Sequence, residues 1–227
     1  EIYTLSLHDA LPIFGRDKVE RMFDVERMRK YFQGRTPGYM GCHRLYSVLI
    51  PIVQKGNELY FMYEVRSDNL SSDPGEVCFP GGHVEKGESF KDAAFRETFE
   101  ETGIPEEKIE YLGEGDILQG YADYTFHTFV GLIRYEDYLK ADIRKEEVKE
   151  LFLVSLSDIK LEEIDHIIEK VVGKSEEPFP YEEVGIDENY RWRYGTWVIP
   201  IIKVDGRTIW GLTARVTEHV LKGLSAL

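Results

Sequence analysis

The sequence predicts an α/β fold, and three observations point to it. A length of 227 residues suits one sizeable core with additions rather than two full domains. Runs rich in β-branched and aromatic residues alternate with stretches whose apolar residues recur at helical spacing. A hydrophobic content of 42% with 13% aromatic residues is that of a folded globule, so the acidic balance does not signal disorder.

Taken in order, "EIYTLSLHDALPIF" lacks an initiator Met and resembles translated sequencing-adapter read-through, so residues 1–15 are set aside from the fold. From Arg16 to Phe32, Val19, Met22, Phe23, Met28, Tyr31 and Phe32 roughly follow helical spacing, and Gly34 offers a stop. An amphipathic helix is therefore expected within 16–36, ahead of a domain over 37–227. "RLYSVLIPIV" and "ELYFMYEVR" flank Lys55-Gly56-Asn57 and predict a hairpin, followed by the polar loop "SDNLSSDPG". Ser89 to Thr102 predicts a helix with Ser89 as N-cap, Gly103 at the C-terminal cap, and Phe90, Ala94, Phe95 and Thr98 facing the core. "IEYLGEGDIL", "YTFHTFVGLIR" and "ELFLVSL" predict strands, and Leu161–Val172 a helix that buries Ile164, Ile167, Ile168, Val171 and Val172. Residues 173–195 form a polar segment too long for an ordinary connection. The chain ends in a hairpin around Asp205-Gly206 and an amphipathic helix over "TARVTEHVLKGL".

The formal net charge of −14 argues against partnership with nucleic acid or an anionic membrane surface. It leaves room for a small phosphate ligand, because a metal held by carboxylates reverses the local field. Two cysteines, Cys42 and Cys78, build no disulfide framework and no zinc spacing, which favours a reducing, cytoplasmic compartment. No apolar run reaches the length of a membrane span and no secretory leader pattern opens the chain.

The chemistry concentrates in "FRETFEETG". Glu97, Glu100 and Glu101 fall within a narrow arc of one helix side, where like charges repel. Glu-rich turns are common on solvated surfaces, and this one alone would pass for such a surface. Its setting differs, because the Gly-rich turn "FPGGHVEKGE" precedes it and Arg96 lies within reach of both Glu88 and the acidic cluster. Converging hard oxygen ligands suit Mg2+ or Mn2+, and the absence of His and Cys from the acidic turn itself disfavours zinc or copper.

Gly82, Glu88, Arg96-Glu97, Glu100-Glu101 and Gly103-Ile104 resemble the Nudix hydrolase box, G-x5-E-x7-R-E-U-x-E-E-x-G-U with U a bulky aliphatic, at every spacing. Thr98 departs from the first U. The resemblance implies the Nudix fold, an α/β/α sandwich with a mixed central β-sheet and a catalytic loop-helix-loop. It implies metal-dependent hydrolysis of a nucleoside diphosphate linked to another moiety, and it admits a homodimer. Glu97, Glu100 and Glu101 would hold Mg2+ or Mn2+ with the Gly82 carbonyl, Glu88 and Arg96 would orient them, and Glu97 or a distant carboxylate such as Glu146 or Glu147 would act as base.

Outside the box, Arg66, Ser67, Leu70, Gly75, Val77, Phe79, Pro80, Gly81 and Gly82 match in order a signature of coenzyme A diphosphatases, with Asp73 where a His is usual. "TIWGLTA" resembles the run that opens the last helix in that subfamily. The implied substrate is coenzyme A or a thioester, a small-molecule diphosphate that calls for cationic donors. Arg66 with Ser67, and Arg191, Arg193 and Tyr194 in the long late loop, are the candidates. Phe79, Trp210, His127 and Cys78 read as core. Two rivals stand beside this reading: a Nudix hydrolase of another dinucleotide or nucleotide sugar, and a non-catalytic binding module.

Overall fold

Two apolar, β-branched runs form the centre of the sheet, as their composition and the turn between them require. In the computed structural model, which describes residues 24–40, 44–173, 175 and 177–227, β1 (Arg44–Lys55) and β2 (Glu58–Arg66) are antiparallel, with Ile52 opposite Phe61 and Lys55 opposite Glu58. Gly56 takes the turn at φ +62°, a conformation that a side chain disfavours. The chain divides into two units, 1–41 and 42–227. In the first, α1 (Val25–Phe32) is capped by Asp24, whose carboxylate accepts from the Arg27 amide at 2.8 Å. The adapter-like segment 1–15 and the predicted helical residues 16–23 lie outside the described residues.

In the second unit, β3 (Val77–Cys78) pairs with β2, and β4 (Gly81–His83) returns to β1. The predicted helix follows as α2 (Phe90–Thr102). The Ser89 hydroxyl accepts from the Asp92 amide at 3.1 Å, and Gly103 closes the helix at φ +69°. β5 (Ile109–Glu114) and β6 (Leu118–Gln119) replace the single strand expected over 109–118. The ladder shifts register between Tyr111 and Gly113, where Gly113 reaches φ +153°. β7 (Tyr124–Arg134) runs parallel to β1 from Arg44↔Tyr124 to Gln54↔Arg134. After the short α3 (Tyr135–Tyr138), β8 (Val148–Ser155) pairs antiparallel with β2. The result, among the described residues, is a mixed eight-stranded sheet ordered β3-β2-β1-β7-β5, with β4, β6 and β8 attached to β1, β7 and β2.

The predicted helix over 161–172 is not formed. A 3-10 turn, Leu161–Glu163, leads into β9 (Asp165–Val171), which pairs antiparallel with β10 (Gly195–Val204), itself paired with β11 (Arg207–Trp210). Ile164 is buried, but Ile167, Ile168 and Val172 are exposed. β-Branched side chains fit a pleated surface better than a helix, and "WVIPII" offers them a partner strand that spacing alone cannot reveal. The long segment before β10 contains α4 (Tyr181–Val184), and α5 (Gly211–Ser225) closes the chain. Trp210, expected in the core, is 48% exposed, because alternation along β11 turns its neighbour Ile209 inward instead.

Alternation likewise divides the core into two layers. Ile50, Phe61, Tyr63 and Phe79 pack with Ala214 and Leu221 of α5. Leu49, Met62, Phe129 and Ile133 pack with Ala94 and Phe95 of α2. Adjacent pairs such as Leu49/Ile50 and Phe61/Met62 point to opposite faces, so the sheet lies between the two helices as an α/β/α sandwich. No helix among the described residues is long and apolar enough to cross a membrane.

The caps of α2 make a direct test. Ser89→Ala should cost about 1 kcal/mol. Gly103→Ala, whose new Cβ would meet the Asp142 carbonyl oxygen at 2.8 Å, should cost more, on the order of 2 kcal/mol, from left-handed strain and the clash together. Urea titration should show both as lower midpoints with unchanged slopes.

Candidate functional site

The Gly-rich turn docks on β1 so closely that side chains are excluded. The Leu49 amide donates to the Pro80 carbonyl at 3.0 Å. A Cβ on Gly81 would lie 2.4 Å from the Ser47 carbonyl oxygen, and one on Gly82 would lie 2.4 Å from the carboxylate carbon of Glu97. Gly82 is therefore a cradle for the Glu97 carboxylate. Beside it, the Gly81 amide donates to Glu101 Oε2 at 2.9 Å.

Arg96 binds the array together. Its Nε and Nη2 donate to the two Glu88 oxygens at 2.8 and 3.1 Å. Its Nη1 donates to Glu97 at 2.9 Å and Glu100 at 3.4 Å, and Nη2 also reaches the His83 carbonyl at 3.1 Å. The fork-shaped guanidinium thus ties three carboxylates and the strap before α2 into one unit, as the spacing of Glu88 and Arg96 led one to expect. Arg96 holds the Glu88 carboxyl below the usual carboxylate range. Burial pushes Glu97 upward against the pull of Arg96.

The three helix carboxylates sit at different depths. The Glu100 side chain is 41% exposed, whereas Glu101 is buried at 5% on the flank of α2 that also buries Ala94 and Thr98. Burial, then the facing Glu64, push the Glu101 carboxyl well up. Glu147 joins from the loop before β8: the Arg144 amide donates to the Glu101 carbonyl at 3.1 Å, and the Ser67 amide to the Glu147 carbonyl at 2.8 Å. The charge of Glu147 adds to the upward push on Glu64, Glu97 and Glu101. Glu146, its neighbour, is exposed.

Glu64 is the participant that sequence reasoning missed. It is 1% exposed on β2, accepts from the Cys78 thiol at 3.1 Å through Oε1, and its Oε2 is buried without a partner. Desolvation drives its carboxyl upward. The signal was one acidic residue inside the apolar run "LYFMYEV". Cys78, read as core, is the half-buried donor in this contact.

Among the described residues, no three acidic, His or Cys side chains already close round a common point as a metal shell would. Arg96 draws Glu97 and Glu100 outward, and Gly81 holds Glu101. The donor chemistry nonetheless suits a hard divalent cation: all oxygen, strongly negative, partly desolvated, with an orphaned carboxylate oxygen at the deep end. Glu97, Glu100 and Glu101 are the residues that could hold Mg2+ or Mn2+.

The predicted substrate residues divide. Arg66 lies beside the cluster, its charge drawing down the Glu64 carboxyl; its Nη2 donates to the Ser72 carbonyl at 3.2 Å, while its Nε is buried without a partner. Ser67 is buried, and its hydroxyl accepts from the Asn69 amide at 3.4 Å, so it braces the loop. Arg191 and Arg193 are exposed in the irregular stretch before β10, and among the described residues no ion pair or hydrogen bond joins either to the acidic turn. His127 is half-buried and stacks on Phe90 with ring centroids 3.5 Å apart. Cavities of about 260 and 230 Å³ flank α5, sharing Arg215 and His219, and contain none of the predicted site residues.

A NUDIX domain model matches residues 43–173, more than half of the 227-residue chain. The chain is 34% identical over 142 residues to the peroxisomal coenzyme A diphosphatase NUDT7 of Mus musculus, covering 57% of this chain and 54% of that protein. It is 36% identical over 115 residues to Nudix hydrolase 3 of Caenorhabditis elegans, covering 50% and 48%. It is 33% identical over 155 residues to the peroxisomal coenzyme A diphosphatase ndx-8 of the same worm, covering 66% and 61%. The chain thus spans about half the length of the curated relatives it matches, between 48% and 61% in these three.

The raised carboxyls set a pH dependence. Glu64, Glu97 and Glu101 hold protons in the metal-free native state over a range where the unfolded chain has released them. Their contribution is therefore complete below the unfolded carboxylate range and is lost as pH rises through the raised native values. In EDTA the melting temperature should fall between pH 5 and pH 8, and Glu101→Gln should flatten that fall. Thermal melts across the range check both.

Proposed function

The chain belongs to the NUDIX domain family, and from that premise we propose that it is a divalent-metal-dependent diphosphatase of coenzyme A or its thioesters. The products would be 3′-phosphoadenosine 5′-phosphate and (acyl-)4′-phosphopantetheine. The observation that carries this reading is the clamped array in which Arg96 fixes Glu88, Glu97 and Glu100 beside the buried Glu101. The adjoining run from Arg66 to Gly82, which matches the coenzyme A signature, supports the substrate assignment. So does the similarity to two coenzyme A diphosphatases, of Mus musculus and Caenorhabditis elegans. The cytoplasm is the compartment that the sparse cysteines favour.

Bound at Glu97, Glu100 and Glu101, Mg2+ or Mn2+ would neutralise the diphosphate, lower the pKa of an attacking water and stabilise the leaving phosphate. The protein's own part is positional. Glu88 acts through Arg96, whose donors keep Glu97 and Glu100 on one side of the turn. The water's proton passes to a carboxylate as its oxygen attacks phosphorus and the bridging P–O bond breaks. Glu97, within the array beside the proposed metal position, would accept it, and Glu147, which joins from the loop before β8, is the alternative base. Arg66, whose charge lies beside the cluster, would be the cation that pairs with a substrate phosphate.

Asp73, where a His is usual in the coenzyme A signature, favours a second reading in which another nucleoside diphosphate derivative is the substrate. A panel of coenzyme A, acyl-coenzyme A, ADP-ribose and dinucleoside polyphosphates, incubated with Mg2+ and followed by mass, separates the two. Coenzyme A should be split at its diphosphate; its survival while another member is cleaved would overturn the assignment. Glu101→Gln should lower turnover by more than about 100-fold, beyond the usual loss of a supporting residue, with cooperative unfolding retained.

A further inference from the structure

The acidic array on α2 has a counterpart on the sheet beneath it. Met62 packs in the core layer that contains Ala94 and Phe95 of α2, and alternation along β2 places Glu64 on that same face. Across the gap, Glu101 occupies the buried flank of α2 with Ala94 and Thr98. Glu64 and Glu101 therefore confront each other between helix and sheet, at 1% and 5% exposure.

A carboxylate so deep normally finds partners for both oxygens. Glu64 has one, the Cys78 thiol on Oε1, and Cys78 stands opposite it in the β2–β3 ladder. The second oxygen is buried and unsatisfied. The charges acting on Glu64 include Glu147 and Glu97, both negative, with Arg66 the cation that opposes them. A buried carboxylate with one oxygen unsatisfied, facing two or three others, is a costly arrangement unless a cation joins it.

We propose that Glu64 is a further ligand of the divalent-cation site, contributing its Oε2 from the sheet side to the cation that Glu101 holds from the helix side. This rests on the metal reading of the same cluster, and it adds an oxygen from outside the box to the α2 set. Mg2+ and Mn2+ take about six oxygens, so a contribution from the sheet is chemically apt. Cys78, donating to Oε1, orients the carboxylate so that Oε2 is the atom presented.

The test is Mn2+ binding, measured by calorimetry on the full chain without substrate. Glu64→Gln keeps the size of the side chain and its ability to accept from Cys78, and it should weaken Mn2+ binding by about 10- to 100-fold. The melting temperature of the metal-free variant should equal or exceed that of the parent, since an unpaired buried acid has been removed. Glu64→Asp retains the charge, should bind more tightly than Glu64→Gln, and serves if that variant does not fold. If Glu101→Gln loses Mn2+ and Glu64→Gln binds it as tightly as the parent, the Glu64 assignment falls alone. If the parent chain binds no Mn2+, the metal reading falls with it.

Discussion

Arg96 is the constraint on which the site depends. Three carboxylates within one turn of α2 repel one another, and a solvated helix would let them splay. The guanidinium answers Glu88, Glu97 and Glu100 together and takes the His83 carbonyl as well. Helix, strap and acidic face thereby become one rigid part. The remaining features follow as clearances for that part. Gly82 leaves room for the Glu97 carboxylate, and Gly81 lets the turn lie against Ser47 and Val48. Ser89 and Gly103 then set where the helix starts and stops.

The clamp works at only one end. Glu100 and Glu97 are answered by Arg96 near the surface, while Glu101 and Glu64 lie deeper, where a backbone amide and a thiol are the hydrogen-bond donors. Negative charge accumulates inward, against the usual preference for keeping charge in water. The upward drive on the deep carboxyls is the electrostatic mark of that imbalance. Two remedies exist, a proton or a cation, and they compete. A proton satisfies one carboxyl and leaves the array weaker as a site. A divalent cation would satisfy several oxygens at once and, under the proposed function, reverse the field that an incoming diphosphate meets.

How far the sequence could be read depended on the range of each interaction. The α2 helix, its caps and the hairpins at Gly56 and Asp205-Gly206 were legible because turn residues and periodicity are local signals. The Arg96–Glu88 contact was legible too, since both residues belong to one short stretch. β9 was misread because Ile164, Ile167, Ile168 and Val171 suit a helix by spacing and a strand by branching, and the partner that decides lies beyond a long polar insertion. Glu64 was missed for the same reason. Inside "LYFMYEV" it looks like an interruption, and its meaning appears only when α2 lies across the sheet. Arg191 and Arg193 stand out only by their charge in a long loop, and among the described residues no polar contact ties them to the acidic turn.

Strand β2 joins the two halves of the proposed chemistry. It has Glu64 facing α2 and, after a register shift between Val65 and Arg66, opens into the loop that matches the coenzyme A signature. A register shift of this kind re-aims the side chain that follows it. Arg66 then secures the loop twice through its backbone, donating to the Glu76 carbonyl at 2.9 Å and accepting from the Gly75 amide at 3.1 Å. Its side chain faces an acidic interior with one guanidinium nitrogen unused. A diphosphate is anionic and its metal cationic, so a site that takes both needs anions inside and a cation at the margin. In the proposed chemistry, β2 would supply that order two residues apart, with Glu64 inside and Arg66 after it.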